Sequence, residues 1–310
     1  VAHLGDGLDH LGGGIDHHDA LLGIAGTALG GCVQFAVAAP FHAADLRAAA
    51  QPFFRGTAGR HAPQLGLAQI AEPKIPLGVA GGSVGPFDVA WTGTAFVVAT
   101  TGLPSRFELL TVRVSADGVA SNPVTVSTFG RGFQDLRLVK GRDTLLVAYG
   151  YEPRARRLTL DGMAMGGEVA LGAGTLAGLA LAYSPGQWLA AWSTGGNVAG
   201  ARVSDDGVLL DAAPLALASG ADNEVSPSLA PAGTGFLLSY AAAQDVRAIR
   251  VDASGTVQDP GGVLVTTRCG SVNLLGSGSV LVAAGGSGLI SYASGCRNEQ
   301  DRVYLRALSF

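Results

Sequence analysis

The chain has 310 residues, of which 48% are hydrophobic and 14% are charged, with 47 glycines and a formal net charge of −4. A chain this apolar can bury a substantial core, and its low charge excludes an intrinsically disordered protein. Lys74 and Lys140 are the only lysines, so the basic face that nucleic-acid binding needs is missing, and no run of 18 apolar residues predicts a membrane span.

Residues 1–72 differ in composition from the rest of the chain. They hold all six histidines, several of them beside Asp and Gly in a loose repeat. His and Asp can ligate zinc, but glycine at this density would make a ligand cage flexible, so we predict no metal site. The segment is expected to be an irregular His/Gly-rich extension, either ordered or disordered, or a stretch that is not native to the protein.

Residues 73–310 repeat one unit. Two apolar strands joined by a glycine turn are followed by a loop, a third strand, a second turn and a fourth strand. The second turns stand at Asp117, Asp161, Asp206 and Ser254, each followed by glycine, which adopts the positive φ of two-residue hairpins. A period in the forties with four strands per unit predicts an all-β fold, a five-bladed β-propeller of four-stranded antiparallel blades.

The fifth unit is one strand short at the end of the chain. Residues 75–79 read like the fourth strands that contain Pro123 and Pro214. We therefore predict that an N-terminal strand over 75–79 pairs with the C-terminal blade and closes the ring. Proline suits such an outermost strand, where its missing N–H costs no ladder bond.

The repeat resembles secreted bacterial β-propeller repeat proteins, whose blades read roughly VAWxGxxFLVxW followed by GxRVxxxGxVLD. The matching stretches are Val89–Gly93, Phe96–Val98, Gly200–Val203 and Gly207–Asp211. The resemblance covers about three quarters of the chain, and it implies an exported protein, extracellular, periplasmic or on the cell surface. It implies no particular activity.

The three cysteines give evidence on whether the protein is exported or cytosolic. Cys269 and Cys296 fall within one unit, whereas Cys32 is far away. A disulfide between the first two would suit an exported protein, and two buried thiols would suit a cytosolic one. We favour the disulfide, because two cysteines in one small unit are often paired.

Two sets of side chains could carry chemistry, and each has a structural explanation. The aromatic residues that end second strands (Tyr149, Trp192 and Tyr240) could stack on sugars, but their equivalent places favour packing between blades. Asp88 and Asp135 begin innermost strands and could form an acid/base pair. The other blades carry Gly178, Ser228 and Asn273 at that place, so turn capping or channel lining is the expected role.

No catalytic residue or cofactor is predicted, and the protein is expected not to be an enzyme. Residues 73–310 contain no histidine, so a Ser–His–Asp arrangement cannot be built there. The loops between second and third strands should gather on one face, with the mixed charge and aromatic rings of a recognition surface, although solvated loops look similar. The candidate ligand-binding residues are Arg106, Phe107, Tyr151, Glu152, Arg154, Asp245, Arg247, Arg297 and Glu299.

The leading hypothesis is a non-enzymatic, exported and monomeric β-propeller that acts as a binding or scaffold module for a protein or a glycan. The alternative is a propeller-type carbohydrate-active enzyme, a glycosidase or lyase, because fold does not decide function. A third hypothesis is a structural module within a larger surface protein. An acid-lined centre would favour the enzyme.

Overall fold

The computed structural model describes residues 24–29, 32–37, 76–77, 85–101, 107–129, 132, 134–267, 280–284, 287–294 and 302–309. The chain divides into two compact units, Val1–Lys74 and Ile75–Phe310. In the first unit, strand β1 (Ile24–Leu29) pairs antiparallel with β2 (Cys32–Val37). The described residues include no helix long and apolar enough to cross a membrane.

The described part of the second unit is all β, with five antiparallel sheets in chain order and no helix. Sheet 1 contains β3 (Phe87–Trp91), β4 (Ala95–Thr101), β5 (Glu108–Ser115) and β6 (Val124–Thr128). Sheet 2 contains β7 (Asp135–Lys140), β8 (Leu145–Gly150), β9 (Arg154–Leu158) and β10 (Ala164–Ala170). Sheet 3 contains β11 (Ala177–Ser184), β12 (Gln187–Thr194), β13 (Asn197–Ser204) and β14 (Leu215–Ala218). Sheet 4 contains β15 (Glu224–Ala232), β16 (Gly235–Ala242), β17 (Asp245–Val251) and β18 (Val263–Thr267), and sheet 5 contains β19 (Val280–Ala284), β20 (Ser287–Ser294) and β21 (Arg302–Ser309).

The first strands of successive sheets lie side by side. Strand β3 contacts β7, β7 contacts β11, β11 contacts β15 and β15 contacts β19. Because sheets 1 to 4 share one strand order, their first strands begin at the same end, where the second strands also finish. This arrangement, innermost first strands with the other strands following outward, is that of a β-propeller. We call the end at which the first strands begin the loop face.

Apolar side chains between neighbouring sheets form the core. Every residue of β8 and of β16 is buried, which explains why these second strands read as continuous apolar runs. Trp188 and Trp192 of sheet 3 are fully buried and pack with Leu146 of sheet 2. The core is therefore a series of layers between sheets, each filled by large side chains of the second strands.

The turns between third and fourth strands differ in length from the prediction. Ser115 N donates to Val119 O and Gly118 N donates to Ser115 O, so the loop spans residues 116–118 rather than two residues. The predicted glycine conformation is confirmed, since φ is 87° at Gly118 and 86° at Gly162. A three-residue loop that ends in a left-handed glycine matches the twist of the strands as well as the shorter turn does.

The ring closure stays a prediction. Of the predicted closing strand, Pro76 and Leu77 are described and belong to no strand, and residues 75, 78 and 79 lie outside the described part. Sheet 5 has three strands among the described residues. The five-blade count and the domain boundary after residue 72 also stay predictions. The same holds for the Cys269–Cys296 disulfide, because both cysteines lie outside the described residues.

Candidate functional site

The structure places the predicted ligand-binding residues in separate sheets. Arg154 begins β9 of sheet 2 with Glu152 in the turn before it, Asp245 and Arg247 belong to sheet 4, and Phe107 precedes β5 with 41% of its surface exposed. Tyr151 lies in the loop before β9. The remaining candidates, Arg106, Arg297 and Glu299, lie outside the described residues.

The sheet 2 group is a closed polar network. Arg154 Nη1 donates to Glu168 Oε1 at 2.6 Å, and its Nη2 donates to Glu152 Oε2 at 3.3 Å. Glu168 Oε2 also accepts hydrogen bonds from Tyr149 Oη at 2.7 Å and from Ser127 Oγ of sheet 1 at 3.0 Å. Burial opposes ionisation of Glu168, but these hydrogen bonds outweigh it and hold its pKa below the usual range. The network fastens sheet 1 to sheet 2.

The sheet 4 group repeats part of this pattern. Arg247 Nη2 donates to Asp245 Oδ2 at 3.0 Å, and its Nη1 donates to Gly261 O at 2.9 Å. Asp245 Oδ1 accepts from Thr267 Oγ1 at 2.9 Å. Like Arg154, Arg247 pairs across the strands with a tyrosine that ends a second strand. Both arginines are therefore held in place by side chains and carbonyls of their own sheets.

The aromatic residues that end the second strands are interior. Tyr149 and Trp192 are fully buried and Tyr240 is 3% exposed, and each packs in a cluster between sheets. Burial raises the pKa of Tyr149, and its hydrogen bond to Glu168 raises it further. The prediction that these rings pack between blades is confirmed.

Asp88 and Asp135 each join two first strands. Asp88 Oδ2 accepts the backbone N–H of Leu138 in the next sheet at 2.8 Å, and Asp135 Oδ2 accepts that of Leu179 at 2.9 Å. In both residues Oδ1 accepts the backbone N–H of the following residue at 2.8 Å. Burial raises the pKa of Asp88, and the two backbone hydrogen bonds oppose that rise. Turn capping or channel lining was the expected role, and the hydrogen bonds observed link the first strands of neighbouring sheets instead of capping a turn.

A further carboxylate on the loop face was missed by the sequence analysis. Glu224 begins β15, is only 4% exposed, and its Oε2 has no hydrogen-bond partner within the part of the chain that the structure describes. Its backbone N–H donates to Gly196 O at 2.9 Å, as that of Leu176 donates to Tyr151 O at 2.8 Å one sheet earlier. Leucine therefore fills the equivalent position in sheet 3, and the fold does not require a carboxylate there. A buried carboxylate oxygen without a donor costs free energy, so we expect a donor from outside the described residues, such as water, a ligand or another part of the chain.

Other unusual features lie in the same part of sheets 3 and 4. Ser193 Oγ is buried and has no hydrogen-bond partner among the described residues. Ser226 has a φ of 55° immediately before Pro227, a conformation that is strained for a residue with a side chain. A Cβ added at Gly178 would lie 3.7 Å from Ser226 Cα and 3.8 Å from Ser193 Oγ, so these groups are neighbours. We call Gly178, Ser193, Glu224 and Ser226 the sheet 3–4 junction.

Signals for this site were weak in the sequence. Glu224 precedes a register shift between Val225 and Ser228, so counting from the strand pattern aligns Ser228, and not Glu224, with Asp88. Within the ranges that the structure describes, no group of His, Cys, Asp and Glu is arranged to hold a metal ion. The junction thus contains a buried carboxylate oxygen and a buried hydroxyl, each without a hydrogen-bond partner among the described residues.

Comparisons with known proteins are distant. No protein-family model and no curated protein matches the chain. Among solved structures, a thermostable family-43 glycoside hydrolase is 11% identical, with a TM-score of 0.43 over 73% of this chain and 90% of that chain. An exo-β-1,3-galactanase from Phanerochaete chrysosporium is 8% identical, with a TM-score of 0.46 over 74% and 61%. An α-L-arabinofuranosidase from Lactobacillus brevis is 12% identical, with a TM-score of 0.43 over 72% and 90%.

These comparisons correct one prediction. The protein was expected not to be an enzyme, whereas these matching structures are glycoside hydrolases, so that expectation is withdrawn. At such identities the likeness transfers no reaction or substrate to this chain. Any activity of this chain has to be argued from its own residues.

Proposed function

We propose that the propeller unit is a carbohydrate-active enzyme that hydrolyses a glycosidic bond, with Glu224 as an acid/base residue. The observation that carries the proposal is the nearly complete burial of Glu224 with Oε2 lacking a partner in the described residues. Glycoside hydrolysis uses a pair of carboxylates, one of which gives a proton to the leaving oxygen. A carboxylate oxygen to which none of the described residues donates is available for that exchange.

The second carboxylate is proposed to be Asp88 or Asp135. Asp135 is the first residue of β7 and Asp88 the second of β3, so both lie at the loop-face ends of first strands, as Glu224 does. Asp135 also accepts a hydrogen bond from Arg137 Nη1 at 2.6 Å. A ligand over the start of the first strands would have these carboxylates around it.

The substrate is proposed to be a glycan held by the loop-face residues. The loop of Tyr151 reaches the start of β11 through its carbonyl, which accepts the N–H of Leu176. This contact sets the loops between second and third strands beside the beginnings of the first strands. Tyrosine and phenylalanine offer stacking faces for sugar rings, and arginine and carboxylate groups offer hydrogen bonds to hydroxyls. The residues proposed for these contacts are Arg106, Phe107, Tyr151, Glu152, Arg154, Asp245, Arg247, Arg297 and Glu299.

The assembled form is proposed to be a five-bladed monomer that works outside the cytoplasm. Residues 75–79 would add the fourth strand to sheet 5 beside β21. A disulfide between Cys269 and Cys296 would suit an oxidising compartment outside the cytoplasm. No nucleic acid or cofactor is proposed to take part.

The experiment is a hydrolysis assay of the full chain on a panel of aryl glycosides and polysaccharides, read as aryl or reducing-sugar release. Glu224→Gln keeps the shape but cannot exchange a proton, so kcat should fall by about 100-fold or more. Asp206→Asn is the control, because this carboxylate is 93% exposed and lies at the opposite end of sheet 3. Its activity should match that of the wild type, and melting curves should show that both variants fold.

Two results would overturn the proposal. One is the absence of release from every substrate by well-folded wild-type protein. The other is release by the wild type that Glu224→Gln leaves unchanged.

A further inference from the structure

An arginine recurs at one place in four third strands. Arg113, Arg157, Arg202 and Arg250 each stand five residues before the glycine of the following turn. Each pairs across the strands with an apolar residue of the second strand, which fixes the four arginines at equivalent positions: Val97, Leu146, Leu189 and Leu237. These positions lie near the end of the sheet opposite the loop face.

Three of the arginines bind the turn of the next sheet. Arg113 Nε lies 3.0 Å from Asp161 Oδ1 in the turn of sheet 2. Arg157 Nη1 donates to Asp205 O in the turn of sheet 3 at 2.7 Å. Arg202 Nη1 donates to Ala253 O in the turn of sheet 4 at 2.7 Å. The recurring ligand is a tight turn that offers a backbone carbonyl or a carboxylate.

The fourth arginine, Arg250, is held by an aspartate of its own sheet as Arg202 is, but its side chain is more exposed. Arg250 Nε and Nη2 donate to Asp259 at 2.8 and 2.7 Å, as Arg202 Nε donates to Asp211 at 3.0 Å. Among the described residues, Arg250 Nη1 has no hydrogen-bond partner. The side chain of Arg250 is 44% exposed, against 14% for Arg202.

An open groove lies beside Arg250. A cavity of about 290 Å³ is lined by the first turn of sheet 4 and the end of its third strand, namely Ala232, Gly233, Thr234, Gly235, Phe236, Arg250, Val251, Asp252 and Gln258. In sheet 3, Gln187 starts the second strand and its amide donates to Ala253 O at 2.9 Å, beside Arg202. Gly235 starts the second strand of sheet 4 and has no side chain to fill the equivalent place.

We propose that this groove, Arg250 with the first turn of sheet 4, binds an acidic β-turn of a partner protein. The partner would present an Asp-Gly turn with a backbone carbonyl that accepts a hydrogen bond from Arg250 Nη1. Arg157 and Arg202 donate to turn carbonyls in the same way within this chain. The aspartates of such turns complement the charge of the guanidinium, as Asp161 complements Arg113. The proposal does not depend on the enzymatic function.

The test uses the full chain and a synthetic hairpin peptide with the sequence of residues 200–211, which contains the turn that binds Arg157. Saturable binding is expected by calorimetry, and Arg250→Ala should weaken it by about tenfold or more. Thr234→Trp should weaken it comparably by filling the groove while keeping the charge. Arg142→Ala, at an exposed arginine of sheet 2, is the control and should bind as the wild type does.

Several results would overturn the proposal. Absence of binding at millimolar peptide would do so, as would equal binding by the wild type and Arg250→Ala. A wild type that binds no peptide but is destabilised by Arg250→Ala would show that the chain fills the groove with its own residues. A wild-type dimer that dissociates in Arg250→Ala would instead place a second copy there.

Discussion

Glu168 and Glu152 contact the same guanidinium from different surroundings. Glu168 is 22% exposed and accepts three hydrogen bonds, whereas Glu152 is 55% exposed and accepts one long one. Because the pKa of Glu168 is lowered on folding, its contribution to stability is present above its ordinary value of 4.5 and is lost as pH falls through the lowered pKa.

Glu168→Gln should therefore destabilise the protein at neutral pH. The expected loss is about 1–3 kcal/mol at pH 7, since the variant leaves a buried donor without an acceptor. The gap between wild type and variant should close as pH falls below 4.5, measured by urea denaturation across pH. Glu152→Gln is the matched control and should stay close to the wild type. An equal effect of the two substitutions, or a gap that is independent of pH, would contradict this account.

At the scale of single elements, the turns between third and fourth strands also serve as contacts between sheets. Gly207 and Gly255 both have positive φ, at 81° and 86°. A Cβ at Gly207 would meet Arg157 Cδ at an ordinary 3.5 Å, but one at Gly255 would lie 2.8 Å from Arg202 Nε. Arg202 cannot easily move away, because Asp211 and Ala253 hold its guanidinium.

The two glycines should respond differently to alanine. Gly207→Ala should cost about 1–2 kcal/mol, the penalty of the left-handed conformation alone. Gly255→Ala should cost about 1–3 kcal/mol more, because it also overpacks the contact between sheets 3 and 4. Guanidinium denaturation of both variants measures the difference. Equal losses of stability would mean that the turn of sheet 4 at Gly255 does not pack tightly against Arg202 of sheet 3.

The strands and turns could be predicted because their signals are local. Apolar runs such as Leu145–Tyr149 and the recurring turn glycines depend on a few neighbouring residues, and both were located correctly. Glu224 could not be found in this way. Its importance depends on a register shift within β15 and on the absence of a donor among the described residues of neighbouring sheets, which no local pattern records.

At the scale of the whole molecule, periodicity predicted the succession of sheets but not their contacts. The arginine five residues before each turn glycine is visible in the sequence, yet its role appears only when the next sheet lies beside it. The recognition surface was predicted as one face of mixed charge. In the structure Arg154 donates to Glu168 and Arg247 donates to the carbonyl of Gly261, so these two charged side chains stabilise their own sheets.

Ring closure is the remaining test of the architecture. If residues 75–79 pair with β21, the outward-facing amides of β21 should donate to them, and alternate amides over Arg302–Ser309 should resist hydrogen exchange. Leu77→Pro in the full chain removes an N–H and obstructs the pairing, so exchange at those amides should accelerate by about tenfold or more. Leu65→Pro, which lies before the predicted strand, should leave their protection unchanged. Outward amides of β21 that already exchange freely in the wild type would show that no segment pairs with β21, and amides that stay protected in Leu77→Pro would show that a different segment does.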